Sequence, residues 1–117
     1  MEIRNRERQS PFTTKDGSTI RSLMDLSIAP VVQQSLAEAS LPAGAHTERH
    51  YHRLSEEIYF LSEGKGVMEI DGETREVGPG DAILIPPGAW HQIRALEPLR
   101  FFCCCAPPYS DYDTFFT

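Results

Sequence analysis

The 117-residue sequence has no long hydrophobic run and little positive charge. No segment approaches the roughly 18 consecutive apolar residues that a membrane-spanning helix requires, so we expect no membrane partner. The sequence has eleven basic and seventeen acidic residues, which gives a net charge of −6. Binding to nucleic acid or to an anionic membrane surface is therefore not expected, because both partners require a basic surface.

The amino terminus and the cysteines favour a cytoplasmic location. Residues 1–10 are polar and charged and lack the apolar core of a secretory signal. The only three cysteines are consecutive, at positions 103–105, so they cannot join distant parts of the fold. An odd number of cysteines also suits thiols that are kept reduced, as they are in the cytoplasm.

Short runs of strand-forming residues alternate with turn residues over most of the chain. From Gly44 onward, glycine and proline separate runs such as 58–61 and 82–85. The pair Asp71-Gly72 lies between two such runs and predicts a two-residue hairpin turn. Several short strands at this spacing predict an all-β fold, either a sandwich or a barrel.

The length and composition indicate one globular domain. Apolar residues make up 40% of the chain and charged residues 24%, which are ordinary values for a folded domain. Residues 1–18 are polar and end in a turn-forming stretch, so we interpret them as an N-terminal arm. Residues 19–117 are predicted to form the single domain.

Three histidines and one glutamate form a candidate metal site. His50 and His52 are two positions apart, so in a strand both imidazoles lie on the same face. A hairpin would bring Glu57 level with them, and His91 begins a later predicted strand after a proline-rich corner. Mixed nitrogen and oxygen ligands suit Fe, Mn, Ni, Cu or Zn, whereas Ca and Mg prefer oxygen alone. The sequence does not distinguish among the five transition metals.

Strand alternation selects the acidic ligand and the neighbouring cavity wall. Glu57 shares a face with Tyr59, whereas the adjacent Glu56 lies on the opposite face, so Glu57 is the predicted ligand. We expect the cavity beside the metal to be largely apolar, with few charges. The candidate lining residues are Tyr59, Leu61, Met68 and Phe101.

Other residues near the predicted site have no assigned role. His46 has the same parity as His50, but it follows a turn where the alternation can break. Glu48 is a candidate acid in the cavity. Cys103 and Cys105 share the inward face of the last strand, where they could approach the metal, although buried free cysteines usually behave as small hydrophobic residues.

Two spaced motifs resemble those of the cupin family, and they span residues 44–91. The nine matching positions read Gly44-x5-His50-x-His52-x4-Glu57-x6-Gly64 and then Gly80-x5-Pro86-x-Gly88-x2-His91. The second motif often closes with an asparagine four residues after the histidine, and this chain has Ala95 there. The resemblance implies a jelly-roll β-barrel that holds a divalent transition metal through His50, His52, Glu57 and His91.

The resemblance leaves the reaction open, since cupins include dioxygenases, decarboxylases, isomerases, lyases and non-enzymatic binders. We expect a small-molecule enzyme of the dioxygenase, oxidoreductase or Lewis-acid type, with free positions on the metal for O2 or a chelating substrate. The alternative is a non-catalytic cupin that binds a small anion or a sugar-like ligand.

Apolar residues on the outward strand faces predict a homodimer. Ile58 and Phe60 lie on the face opposite Glu57, and the last strand is apolar on both faces. A monomer of this size would expose too much apolar surface, so we expect two copies to pack sheet against sheet.

Overall fold

A computed structural model describes residues 1–117, which form nine β-strands and two single-turn 3-10 helices. The helices are Arg6–Arg8 and Asp111–Asp113, and neither has the length or hydrophobicity that crossing a membrane requires. The strands are β1 (Phe12–Thr13), β2 (Thr19–Met24), β3 (Ser35–Leu41), β4 (Glu56–Glu63), β5 (Gly66–Ile70), β6 (Glu73–Val77), β7 (Ala82–Ile85), β8 (His91–Ala95) and β9 (Leu99–Ala106).

The strands form two antiparallel sheets, which confirms the predicted all-β jelly roll. The larger sheet has six strands in the order β1-β2-β3-β9-β4-β7, and the smaller has the order β6-β5-β8. Both sheets contribute to one core of eleven buried apolar residues, which include Leu61 and Phe101 from the larger sheet and Met68 and Ile93 from the smaller. The core fills part of the interior and leaves a cavity beside it.

The turn predicted from Asp71-Gly72 joins β5 to β6. Asp71 has a φ of 47° and Gly72 a φ of 89°, so both central residues are left-handed. This is the backbone of a type I′ hairpin, whose twist matches that of the flanking strands. The register follows directly, with Ile70 opposite Glu73.

Strand β4 carries the alternation that the sequence predicted. Glu57, Tyr59 and Leu61 are buried, while Ile58 and Phe60 are exposed. β4 lies between β9 and β7 in the larger sheet, so the inward side chains of these two strands flank those of β4. Glu57 is therefore held at the inner surface of the barrel.

Part of the predicted N-terminal arm belongs to the larger sheet. Strand β1 pairs with β2, with Phe12 opposite Ile20. Further toward the amino terminus, the guanidinium Nε of Arg6 lies 2.8 Å from each carboxylate oxygen of the buried Glu38. The turn between β1 and β2 lines the cavity.

Candidate metal centre

His50, His52 and His91 meet inside the barrel. One ring nitrogen from each lies within 4.8 Å of the others, and all three side chains are buried. His50 and His91 also form an isolated β-bridge, in which each backbone N–H donates to the carbonyl of the other, at 3.1 and 2.8 Å. The bridge joins the two motifs that are distant in sequence.

A backbone carbonyl orients each imidazole. Carbonyl oxygens can only accept hydrogen bonds, so the Nδ1 atom beside each one carries the proton and the Nε2 atom keeps its lone pair. This is the usual outer arrangement for histidines that bind a metal through Nε2. For His50, His52 and His91 in turn, the acceptors are the carbonyls of Glu48, Asp113 and Ala89, at 2.7, 2.9 and 3.0 Å.

The Glu57 carboxylate is outside that three-histidine group but lies beside two of its imidazoles. Its Oε1 atom lies 3.3 Å from Nε2 of His52 and 3.4 Å from Nε2 of His91. Oε1 of Glu57 and Nε2 of His91 are fully buried and have no hydrogen-bond partner. Buried polar atoms without partners are rare because they are costly, and a bound cation would satisfy both lone pairs. The donor set therefore fits a divalent transition metal.

The charges around the site favour metal binding. Burial opposes ionisation of Glu57, but the imidazoles of His52 and His91 outweigh it and hold its pKa well below the usual value. Burial lowers the pKa of His50, and the neighbouring His91 lowers it further. His50 is therefore neutral and Glu57 negative at neutral pH, which are the protonation states that metal ligands need. Burial lowers the pKa of His52, but Glu57 outweighs it and raises that pKa, so a metal must compete with a proton for this imidazole.

Cys105 contacts the glutamate from the other side. Cys105 in β9 pairs directly with Glu57 in β4, and its thiol donates to Oε2 of Glu57 over 3.2 Å. Strand parity placed Cys105 on the inward face, but the contact itself depends on the register between β4 and β9. Cys103 lines the cavity two residues away.

A cavity of about 570 Å³ borders the candidate site, and His50, His52 and Glu57 form part of its wall. Tyr59 and Phe101 line it, with ring centroids 4.6 Å apart. The other two candidate lining residues, Leu61 and Met68, pack in the core instead. Leu61 lies two positions beyond Tyr59 in β4, where side chains from both sheets fill the interior, and Met68 belongs to the smaller sheet.

The cavity carries more charge than the sequence analysis predicted. Lys15, Asp16, Asp25 and Asp111 line it together with several serines. These residues come from segments 12–27 and 109–112, which the motif spacing did not connect to the site. The turn composition near residue 16 identified a loop but gave no indication of where that loop would lie.

Neither of the two residues without an assigned role, His46 and Glu48, adds a side chain to the three-histidine group. Nδ1 of His46 is 3.0 Å from the carbonyl of Thr47, and His46 is outside the three-histidine group. Glu48 contributes its backbone carbonyl, which orients His50, rather than its carboxylate.

Comparison with known proteins places the same residues in a recognised domain. A family model described as "Cupin domain" matches residues 37–105, which include all four candidate ligands. The chain is 50% identical over 106 residues to the uncharacterized protein MJ1618 of Methanocaldococcus jannaschii. That match covers 89% of this chain and 85% of MJ1618.

Two further relatives have descriptive names. The chain is 28% identical over 83 residues to a 5-aminosalicylate 1,2-dioxygenase of Comamonas sp., a match that covers 71% of this chain but only 21% of the dioxygenase. A solved structure of the polyketide cyclase RemF from Streptomyces resistomycificus superposes with a TM-score of 0.77 at 26% identity. That superposition covers 97% of this chain and 89% of RemF.

Proposed function

This chain belongs to the cupin family, and from that premise we propose that it is a metal-dependent enzyme acting on a small oxygen-rich organic molecule. The observation that carries the proposal is the position of the candidate metal centre. His50, His52 and Glu57 form part of the wall of a cavity large enough for a substrate, and the buried His91 lies behind them, beside Glu57. A metal that only stabilised the fold would not require a cavity beside it.

The proposed ligands are His50, His52, Glu57 and His91. Three neutral imidazoles and one carboxylate leave a divalent ion with a net charge of +1, so the centre would favour an anionic oxygen ligand such as a phenolate, enolate or carboxylate. When bound, a divalent transition metal would supply Lewis acidity and, if it is redox-active, access to O2. The ion is one of Fe, Mn, Ni, Zn or Cu, since the donor set suits all five.

The size and the lining of the cavity favour an aromatic or polyketide-like substrate. Its volume of about 570 Å³ falls within the ordinary range for small-molecule sites. Tyr59 and Phe101 offer flat apolar surfaces to a ring, while the serines and aspartates of the lining can bind hydroxyl groups. The names of the two relatives, a dioxygenase of 5-aminosalicylate and a polyketide cyclase, are consistent with this substrate class.

The residues beside the proposed metal can bind and orient such a substrate. Burial raises the pKa of Tyr59 well above its usual value, and the nearby Glu57 raises it further. The phenol therefore stays protonated at neutral pH and can donate a hydrogen bond to a substrate oxygen. The buried imidazoles and Phe101 exclude bulk water from the same end of the cavity.

We also propose a homodimer that buries the outer face of the larger sheet. Four neighbouring strands, β3, β9, β4 and β7, place one outward residue each side by side: Leu36, Cys104, Ile58 and Leu84. Two positions further along the strands, Phe60 of β4 lies opposite Phe102 of β9 on the same outer face. Ile58, Phe60 and Leu84 are 42%, 46% and 55% exposed, so the patch is apolar and uncovered. The proposal further places the protein in the cytoplasm, which its three free cysteines support.

Metal analysis followed by turnover assays tests the proposed function. Protein purified without an affinity tag would be analysed for metal and then assayed with catechols, aminophenols and β-diketones, with oxygen uptake and product formation recorded. We expect turnover of at least one chelating substrate, and loss of that turnover in His52→Ala. Tight binding of a small anion or sugar without any turnover would favour the non-catalytic alternative.

A further inference from the structure

His52 differs from the other two histidines in the source of its orienting carbonyl. For His50 and His91, the carbonyl belongs to a residue only two positions earlier in the chain. For His52, it belongs to Asp113, which is 61 residues later, with Nδ1 and O 2.9 Å apart. The orientation of His52 therefore depends on how the C-terminal segment packs, whereas that of the other two is locally determined.

The side chain of Asp113 binds the loop that follows His52. Its Oδ1 accepts the backbone N–H groups of Arg53 and Leu54, each at 3.0 Å, and its Oδ2 accepts that of Ser55 at 3.0 Å. Asp113 is only 8% exposed, so these charge-assisted hydrogen bonds are shielded from water. The backbone carbonyl of Asp113 thus binds the His52 ring, and its carboxylate binds the three residues that follow His52.

Further contacts attach the C-terminal segment on both sides of His52. Tyr51 and Phe115 exchange two backbone hydrogen bonds of 3.0 Å, and their rings stack with centroids 5.3 Å apart. Beyond the loop, the Ser55 hydroxyl donates to the carbonyl of Pro107 over 2.7 Å. Residues 107–115 therefore pack along the whole stretch from Tyr51 to Ser55.

We propose that Asp113 is the positioning residue for His52, and that packing of residues 107–117 is coupled to metal binding. The inference rests on the proposed function, in which His52 is a ligand. Asp113 fixes the proton on Nδ1 and so presents the Nε2 lone pair to the site. Because coupling between two equilibria is reciprocal, a bound metal must also stabilise the packing of the C-terminal segment.

Asp113→Asn tests the proposal with little change in shape. The amide NH2 would face a backbone N–H donor, so at least one of the three hydrogen bonds to the loop is lost. Asp81→Asn is the control, because the side chain of the exposed Asp81 also accepts a backbone N–H, that of Gly78 at 2.7 Å, but does not line the cavity. We expect Zn²⁺ and Mn²⁺ affinity, measured by competition with a chelator, to fall about 10-fold to 100-fold in Asp113→Asn and to change less than about 2-fold in Asp81→Asn.

Nitrogen NMR of the metal-free protein separates positioning from general stability. With nitrogen-labelled histidine, we expect all three imidazoles of the wild type to carry the proton on Nδ1. In Asp113→Asn, only His52 should lose that preference, while His50 and His91 retain it. A purely structural loss would lower the population of folded protein without changing one imidazole selectively.

Hydrogen exchange tests the reciprocal effect. Saturating Zn²⁺ should slow amide exchange in residues 107–117 of the wild type, and this protection should shrink in Asp113→Asn. If Asp113→Asn does not fold, the same measurements are made on Phe115→Ala. That substitution weakens the packing of the same segment but keeps the Asp113 carboxylate. The same selective change at His52 is expected in that variant.

Three results separate the inference from the function on which it rests. Wild-type metal affinity together with an unchanged His52 tautomer in the folded variant would overturn the inference. A wild-type protein that binds no divalent metal would overturn the proposed function, while the tautomer measurement would still decide the orienting role of Asp113. Equal metal protection of residues 107–117 in wild type and variant would overturn the coupling.

Discussion

Cys105 donates its thiol hydrogen to Oε2 of Glu57, while Oε1 of the same carboxylate faces His52 and His91. The two oxygens of one side chain are thereby assigned different partners. The thiol is 2% exposed, and burial raises its pKa well above the usual value, so the group stays a donor at neutral pH. Cys105 therefore orients the carboxylate that the proposed metal requires.

Replacement of Cys105 by alanine should weaken both folding and metal binding. The substitution removes a hydrogen bond to a buried charged oxygen, so we expect a loss of about 1–3 kcal/mol in the free energy of unfolding. Metal affinity should fall by about 10-fold. Urea denaturation and metal titration measure the two effects.

Two variants control this experiment. Cys105→Ser keeps a donor and should retain most of the metal affinity. Cys103→Ala removes a thiol from the same strand face, where Cys103 has no hydrogen bond to Glu57, and should leave metal affinity unchanged. If Cys105→Ala and Cys103→Ala behave alike, Cys105 does not orient the carboxylate.

Gly64 should tolerate substitution far less well than Gly80. Both have left-handed backbones, with φ of 82° and 90°. A Cβ atom at Gly64 would overlap the carbonyl oxygen of Pro98, whereas nothing lies within 4 Å of one at Gly80. We expect Gly80→Ala to cost about 1–2 kcal/mol from the backbone alone. Gly64→Ala should cost at least about 3 kcal/mol, because the overlap adds to that strain.

Thermal and urea denaturation of the two glycine variants provide the comparison. Equal destabilisation would show that the two turns do not differ in packing. It would also contradict the close approach between the end of β4 and the segment that precedes β9.

Phe60→Asp should disrupt the proposed dimer. Phe60 is 46% exposed on the outer face of the larger sheet, and an unpaired carboxylate buried between two such faces costs several kcal/mol. Light scattering at micromolar concentration should give twice the 13.2 kDa chain mass for the wild type and a lower mass for Phe60→Asp. Val32→Asp, at an exposed position outside that sheet, should remain dimeric. A wild-type mass of one chain would contradict the proposed assembly.

The parts of the site that the sequence predicted are those that depend on local geometry. The two-residue spacing of His50 and His52 and the alternation that selects Glu57 over Glu56 act within a few residues. The Asp71-Gly72 turn is equally local. For this reason the strands around the site and the candidates His50, His52 and Glu57 could be proposed from local patterns, whereas His91, which is distant in sequence, was joined to them through the resemblance of its motif to the second cupin motif.

The parts that the sequence did not predict depend on contacts between distant segments. Asp113 reaches His52 across 61 residues, and no periodicity or motif connects the two. Lys15 and Asp25 line the cavity because β1 and β2 pack beside it, a packing that their own sequence pattern does not specify. The same reason explains why Met68 packs in the core rather than lining the cavity.

Metal content per chain tests the central claim most directly. Wild type, the double variant His50→Ala/His52→Ala and the control His46→Ala would be purified identically without a tag, loaded with a divalent transition metal, dialysed and analysed by mass spectrometry. His46 is a suitable control because it is the fourth histidine of the chain and is outside the three-histidine group. We predict one metal ion per chain in wild type and His46→Ala and almost none in the double variant. Full metal occupancy in the double variant would contradict the account.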